Sequence, residues 1–224
     1  MRSFDELYEL AANRKGGVDK LETFLGQSST LSAQELGAVT DDRWLAQFTK
    51  CIFQAGFNWK VVESKWEGFE EAFDGFSINR ISFYSDDDLD RLISDTRIVR
   101  HGRKIRSVFE NALFLRSLAE QHGSAGQYFA KWPDSDYVGL LDFLKKNASR
   151  LGGNTGQYAL RFIGKPSFIL SRDVIAALQR EAIYEGNASS KKNMRAIQNA
   201  FNTWAGDSGR NLTVISRVLA MSVE

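Results

Sequence analysis

The chain has 224 residues and a formal net charge of +1, with 43% hydrophobic and 25% charged residues, an ordinary globular balance. One cysteine, Cys51, and two histidines, His101 and His122, exclude a disulfide framework, a four-cysteine cluster and the usual zinc ligand set, so neither metal nor cofactor is expected. No apolar run reaches the roughly 18 residues that span a membrane, and Met1-Arg-Ser-Phe-Asp carries no signal-peptide core, so a reducing cytoplasm is the expected setting.

Helical periodicity runs through the chain. Phe4, Leu7, Tyr8 and Leu10 to Ala12 predict a first helix that Gly16-Gly17 ends. Asp41 or Asp42 caps the next, which carries Trp44, Leu45, Phe48, Ile52 and Phe53. Gly56 interrupts it, and Trp59, Val62, Trp66, Phe69 and Phe73 predict one continuing helix. Ile81 to Tyr84 is too short to build a sheet. Ser85 is placed to cap a helix whose acidic first turn, Asp86-Asp87-Asp88, suits the positive end of the helix dipole. A long helix carries Ile105, Val108, Phe109, Ala112, Leu115 and Leu118 and ends near Gly123. Further helices are expected over Tyr137 to Leu144, Asn193 to Trp204 and Leu212 to Met221. The fold class is all-α. The organisation is one domain over 1–224, or two lobes of about 30–135 and 136–224 plus the N-terminus with a cleft between them.

Charge is spread unevenly. Arg97, Arg100, Arg103, Lys104 and Arg106 form one basic group, and Lys145, Lys146 and Arg150 a second. Such runs serve as solvated helix faces or as contacts to a nucleic-acid backbone.

The stretch Leu151-Gly-Gly-Asn-Thr-Gly-Gln-Tyr-Ala-Leu160 lies between two predicted helices. A connection this short needs backbone angles open mainly to glycine, which Gly152, Gly153 and Gly156 supply. The amides of such a turn converge on an anion site fit for a DNA phosphate, with hydrogen bonds added by Asn154 and Thr155. The alternative is a plain interhelical turn. Beyond it, the loop Gly164-Lys-Pro-Ser-Phe-Ile-Leu170 runs into a helix with Ser171 and Asp173 at its start. The segment resembles the helix-hairpin-helix element of base-excision DNA glycosylases, in which the helix after the hairpin carries a catalytic aspartate. That resemblance implies Asp173 or Ser171 at the catalytic position; Asp173 equally suits the dipole of its helix.

Gln54-Ala-Gly-Phe-Asn-Trp59 and Arg97-Ile-Val-Arg-His-Gly-Arg-Lys-Ile105, with Phe69 to Phe73 and Asp88 to Leu92 between them and Asn111-Ala112 after, resemble the bacterial 3-methyladenine DNA glycosylase I family over roughly residues 41–180. The resemblance implies a helix-hairpin-helix glycosylase-like helical bundle. Its activity would be hydrolysis of the N-glycosidic bond of alkylated purines in double-stranded DNA, by a monomer in the bacterial cytoplasm, with no membrane partner. It places Trp59, Gln54, Phe53, Phe57 and Cys51 at the base pocket, where an extruded purine needs an aromatic face to replace its lost stacking; Trp59 and Phe57 are alternatively core aromatics. Arg100, His101, Lys104 and the hairpin Gly152 to Gly156 would hold the DNA backbone.

The departures are specific. Cys51 stands where the family has a glutamate that hydrogen-bonds the damaged base. The family's zinc-binding cysteines and histidines and its base-contacting N-terminal tyrosines have no counterpart, Tyr8 being only a remote one. A second reading follows: a DNA-binding protein on the same scaffold that is inactive or has another substrate.

Overall fold

The structure, a computed structural model, describes residues 1–27 and 29–223. Those residues form helices and connections, with no strand among them, as the 3.6-residue periodicity requires. The helices are α1 (Phe4–Lys15), α2 (Val18–Gly26), α3 (Ala33–Ala38), α4 (Asp41–Gln54), α5 (Trp59–Ser64), α6 (Trp66–Ala72), α7 (Ile78–Ile81) and α8 (Asp86–Ser94). They continue with α9 (Gly102–His122), α10 (Ala125–Lys131), α11 (Tyr137–Asn147), α12 (Asn154–Phe162), α13 (Arg172–Arg180), α14 (Lys191–Ser208) and α15 (Leu212–Met221). None is long and apolar enough to cross a membrane among the described residues.

The chain divides into two compact units, one of residues 1–31, 133–140 and 164–224, the other of 32–132 and 141–163. In the first, α15 packs against α1 and α13. Arg2 donates to Glu181 from its backbone (3.0 Å) and from its guanidinium (2.6 Å), and the Trp204 indole donates to Arg2 O, which ties the N-terminus down. In the second, α4 packs against α9 and α12, and α10 against α3. Trp44, Phe48, Ile52 and Phe53 of α4 are buried in that core.

Local chemistry accounts for most boundaries and corrects two. Gly16 in the left-handed region closes α1, and Gly123 at φ 89° closes α9. Ser85 and Asp88 form a reciprocal capping box at α8. The cap of α4 is Thr40, not Asp41 or Asp42; Asp41 instead accepts the Ala125 N–H at 2.7 Å, joining α4 to α10. The single helix expected from Trp59 to Phe73 is broken. It splits at Lys65 into α5 and α6 and runs into a 3-10 turn, Asp74–Phe76. The rings of Trp66, Phe69, Phe73 and Phe76 lie nearly parallel, 5.4–6.2 Å apart. Burying that stack outweighs the positive φ it imposes on Asp74 and Phe76.

Candidate base pocket and nucleic-acid interface

Within the second unit, the last turn of α4 faces the first turn of α12, and the two enclose a cavity of about 300 Å³. That is the lower end of the range for small-molecule pockets, suited to a single base. Cys51, Gln54 and Ala55 form one wall and Asn154, Thr155 and Tyr158 the other, with Trp59 at the rim. Asn58 fixes Trp59 by capping α5, its side chain accepting the Lys60 N–H at 3.0 Å. The Trp59 ring stands edge-on to Tyr158 (5.6 Å, 87°) and to Phe162 (5.9 Å). Trp59 is nevertheless 43% exposed. It is supported on one side and open on the other, unlike the fully buried core aromatics.

Cys51 lies at the pocket wall as a neutral group. Gln47 Nε2 donates to its sulfur at 3.2 Å, and burial pushes the thiol up to about 11, against a lesser lowering by Gln47 and Lys50. Gln54 is only 4% exposed and donates through Nε2 to Glu63 Oε1 at 3.2 Å. The other two proposed pocket residues lie elsewhere. Phe53 is fully buried against Phe69, ring centroids 4.7 Å apart, because it points to the opposite side of α4 from Cys51. Phe57 is exposed, its ring 5.4 Å from Lys104 Nζ. Neither is part of the cavity wall.

The hairpin is present between α11 and α12, but its glycines act differently from one another. Gly153 alone of the three has positive φ (59°, ψ −141°), a conformation closed to side chains. Gly156 lies inside α12 with ordinary angles; a Cβ there would sit 2.3 Å from Leu151 O, so its role is to let the hairpin backbone lie against the helix. Gly152 meets neither condition. The second left-handed residue is Arg150, φ 60°. The fully buried Asn111 holds this approach from below. Its Nδ2 donates to Ser149 O at 3.0 Å and its Oδ1 accepts the Ser149 N–H at 2.8 Å.

Lys104 is not a surface cation. It is 5% exposed and donates to Phe53 O (3.1 Å) and Ala55 O (2.8 Å), the free carbonyls that end α4. Burial, then the charge of Arg150, lowers its pKa. His101 caps α9, its Nδ1 accepting the Lys104 N–H at 3.4 Å. Arg100 is exposed in the preceding loop. Next to the pocket, a recess of about 300 Å³ is walled by Lys104, Arg150, Gly152 and Thr155. Arg150 also borders a wider groove with Arg103 and Arg106, where Arg106 pairs with Asp86 at 2.7 Å. Cavity, recess and arginine groove share Thr155 and Arg150 in turn.

Ser171 and Asp173 belong to the first unit. The Ser171 hydroxyl caps α13, accepting the Val174 N–H at 3.3 Å. The Asp173 side chain is 45% exposed on the first turn, 3.5 Å from the Arg172 guanidinium. No group of three or more His, Cys, Asp or Glu among the described residues could hold a metal ion, and Cys51 is buried with its sulfur accepting a hydrogen bond from Gln47. Tyr158 and Glu63 were not singled out from the sequence. Tyr158 is detectable only as the residue one turn beyond Thr155 on the same face of α12, and Glu63 as the residue four beyond Trp59 on α5.

Comparison with known proteins converges on one group. Residues 36–139 match the model of the methyladenine glycosylase family. A relative, DNA-3-methyladenine glycosylase 1 of Escherichia coli (strain K12), is 34% identical over 59 residues, 26% of this chain; the match spans 32% of that relative's length. Two solved structures share the fold. One is a variant of 3-methyladenine DNA glycosylase I in complex with 3-methyladenine (21% identity, TM-score 0.51, 55% of this chain and 77% of that one). The other is a variant of the Staphylococcus aureus enzyme (19% identity, TM-score 0.52, 67% of this chain and 89% of that one). The matched segment contains the aromatic stack, Trp59, the α4 wall of the cavity and the Lys104 and Asn111 anchors, so the similarity to the methyladenine glycosylases covers residues 36–139, a little under half of the chain.

Proposed function

We propose that the protein is a base-excision DNA glycosylase that hydrolyses the N-glycosidic bond of alkylated purines of the 3-methyladenine kind in double-stranded DNA. It would work as a monomer in the bacterial cytoplasm. The observation that carries this reading is the base-sized cavity with a half-open Trp59 rim, built beside the hairpin and bordered by family-matched residues.

In this reading the damaged nucleotide leaves the stack and its base enters the cavity, where Trp59 replaces part of the lost stacking. Arg150, Thr155 and the amides around Gly153 hold the phosphate of that nucleotide in the recess, and Arg103 and Arg106 follow the strand along the groove. An alkylated adenine already carries positive charge, so it departs without strong acid catalysis. Water forms the new bond to C1′ as the glycosidic bond breaks. The bonding pair goes to the base and cancels its charge, and the water's surplus proton goes to solvent. The developing sugar cation needs a nearby anion or water, a role that the resemblance gives to Asp173 or to water held near Ser171.

The test is incubation with alkylated duplex DNA and detection of free base. Wild type should release base. Trp59→Ala should lose about tenfold to a hundredfold in turnover, from about 1–3 kcal/mol of stacking, while binding of undamaged duplex changes little because phosphate contacts dominate there. No release by wild type from heavily alkylated DNA would overturn the enzyme reading and favour a binding protein on this scaffold, a reading that the neutral Cys51 motivates.

A further inference from the structure

With Cys51 neutral and its sulfur engaged by Gln47, the α4 wall needs another group to read the polar edge of a base. Gln54, one turn further along α4, lines the same cavity. The orientation of its amide is dictated by chemistry. A carboxylate only accepts, so the amide nitrogen must face Glu63 Oε1 at 3.2 Å, and the amide oxygen must face away. Glu63 is itself held: its other oxygen lies 2.8 Å from Lys50 Nζ, and Lys50 sits 4.9 Å from the centre of the Trp66 ring. Gln54 Oε1 accepts no hydrogen bond from any described residue and is not among the sealed, unpartnered atoms. It is an oriented acceptor at the wall of a base-sized cavity.

We propose that Gln54 Oε1, aimed by the Glu63–Lys50 ion pair, is the specificity-determining acceptor of the pocket and selects bases that present an exocyclic amino group over those that present an oxo group. The proposal rests on the glycosylase reading for what enters the cavity. An amino group gives Oε1 a donor. A carbonyl at the same place sets two acceptors against each other and leaves both desolvated and unpaired. Glu63 is a positioning residue, since it acts only through Gln54.

Binding of two free bases, 3-methyladenine and its 6-oxo counterpart 3-methylhypoxanthine, to the intact protein by calorimetry tests this without requiring turnover. Wild type should prefer the amino base on the order of tenfold to a hundredfold. Glu63→Gln should bring the preference toward unity, because an amide partner can accept or donate and no longer dictates which way Gln54 faces. The Glu63 side chain is 53% exposed, so this change leaves the core intact, and circular dichroism verifies it. Gln54→Met, of similar shape and without the acceptor, should abolish the preference as well; Lys50→Met should weaken it in part. A wild type without preference, or a preference unchanged in folded Glu63→Gln and Gln54→Met, overturns the proposal. If wild type releases no base from alkylated DNA yet shows the preference and loses it in Glu63→Gln, the glycosylase reading fails and the acceptor stands. If it releases base and Glu63→Gln leaves the preference intact, the acceptor fails and the glycosylase reading stands.

Discussion

Asn111 is the least visible of the residues that shape the interface, and its removal should be among the most costly. Its side chain is fully buried in α9 and pairs with both backbone groups of Ser149, at 2.8 and 3.0 Å. Asn111→Ala deletes both bonds. At about 1 kcal/mol net per bond, plus the desolvation of the Ser149 groups left without partners, the loss should be about 2–4 kcal/mol. For a chain of this size that lowers the melting temperature by about 4–16 °C. Asn111→Asp separates hydrogen bonding from packing. It keeps the shape and the acceptor for Ser149 N–H, but turns the donor into an oxygen facing Ser149 O, and it should cost as much as alanine. The approach to the hairpin carries a left-handed non-glycine residue, Arg150, which persists only while its surroundings hold it. Both variants should therefore weaken binding to undamaged duplex as well. Urea unfolding followed by circular dichroism gives the stability, and fluorescence anisotropy gives the DNA affinity. If Asn111→Asp matches wild type within about 0.5 kcal/mol, a difference too small to represent a lost buried bond, the paired bonds do not hold the turn and the reasoning fails.

Gly153→Ala and Gly156→Ala should each destabilise by about 1–3 kcal/mol, the first through its dihedral angles alone and the second through collision with Leu151 O; if the Gly153 variant is as stable as wild type, the turn does not depend on that conformation. Burial holds the Cys51 thiol at about 11 in the folded state, above its unfolded value, so the unfolded chain loses that proton first. Stability should fall as pH rises from the ordinary thiol range toward 11, and Cys51→Ala should flatten that slope in urea titrations; an identical slope in the variant would show that the thiol does not contribute it. Asp173→Asn should lower base release by at least tenfold while costing less than about 1 kcal/mol of stability, the scale of a carboxylate at a helix N-terminus. Unchanged release with the same small stability loss would leave Asp173 only its part at the end of α13.

The all-helical class and most of the longer helices were legible from periodicity, because a 3.6-residue apolar spacing and the caps Gly16, Ser85 and Gly123 act within a turn or two of chain; the short helices α2, α3, α7 and α10 were not. The resemblance to the methyladenine glycosylases was legible for the same reason: Gln54 to Trp59 and Ile98 to Ile105 are contiguous strings. What the tertiary structure decided is the direction and company of each side chain. Apolar spacing runs unbroken from Trp59 to Phe73, yet stacking four rings from one short segment breaks the helix at Lys65. Lys104 reads as a cation for phosphate and proves to be the cap of α4's carbonyls, since only folding brings residue 104 to residues 53 and 55. The three hairpin glycines look equivalent in sequence, but one provides a dihedral, one a missing Cβ and one neither. The link between Gln54 and Glu63 crosses from one helix to the next. Hydrogen bonds between helices depend on how their axes cross, and that is set by the packing of the whole core, which no local stretch of sequence encodes.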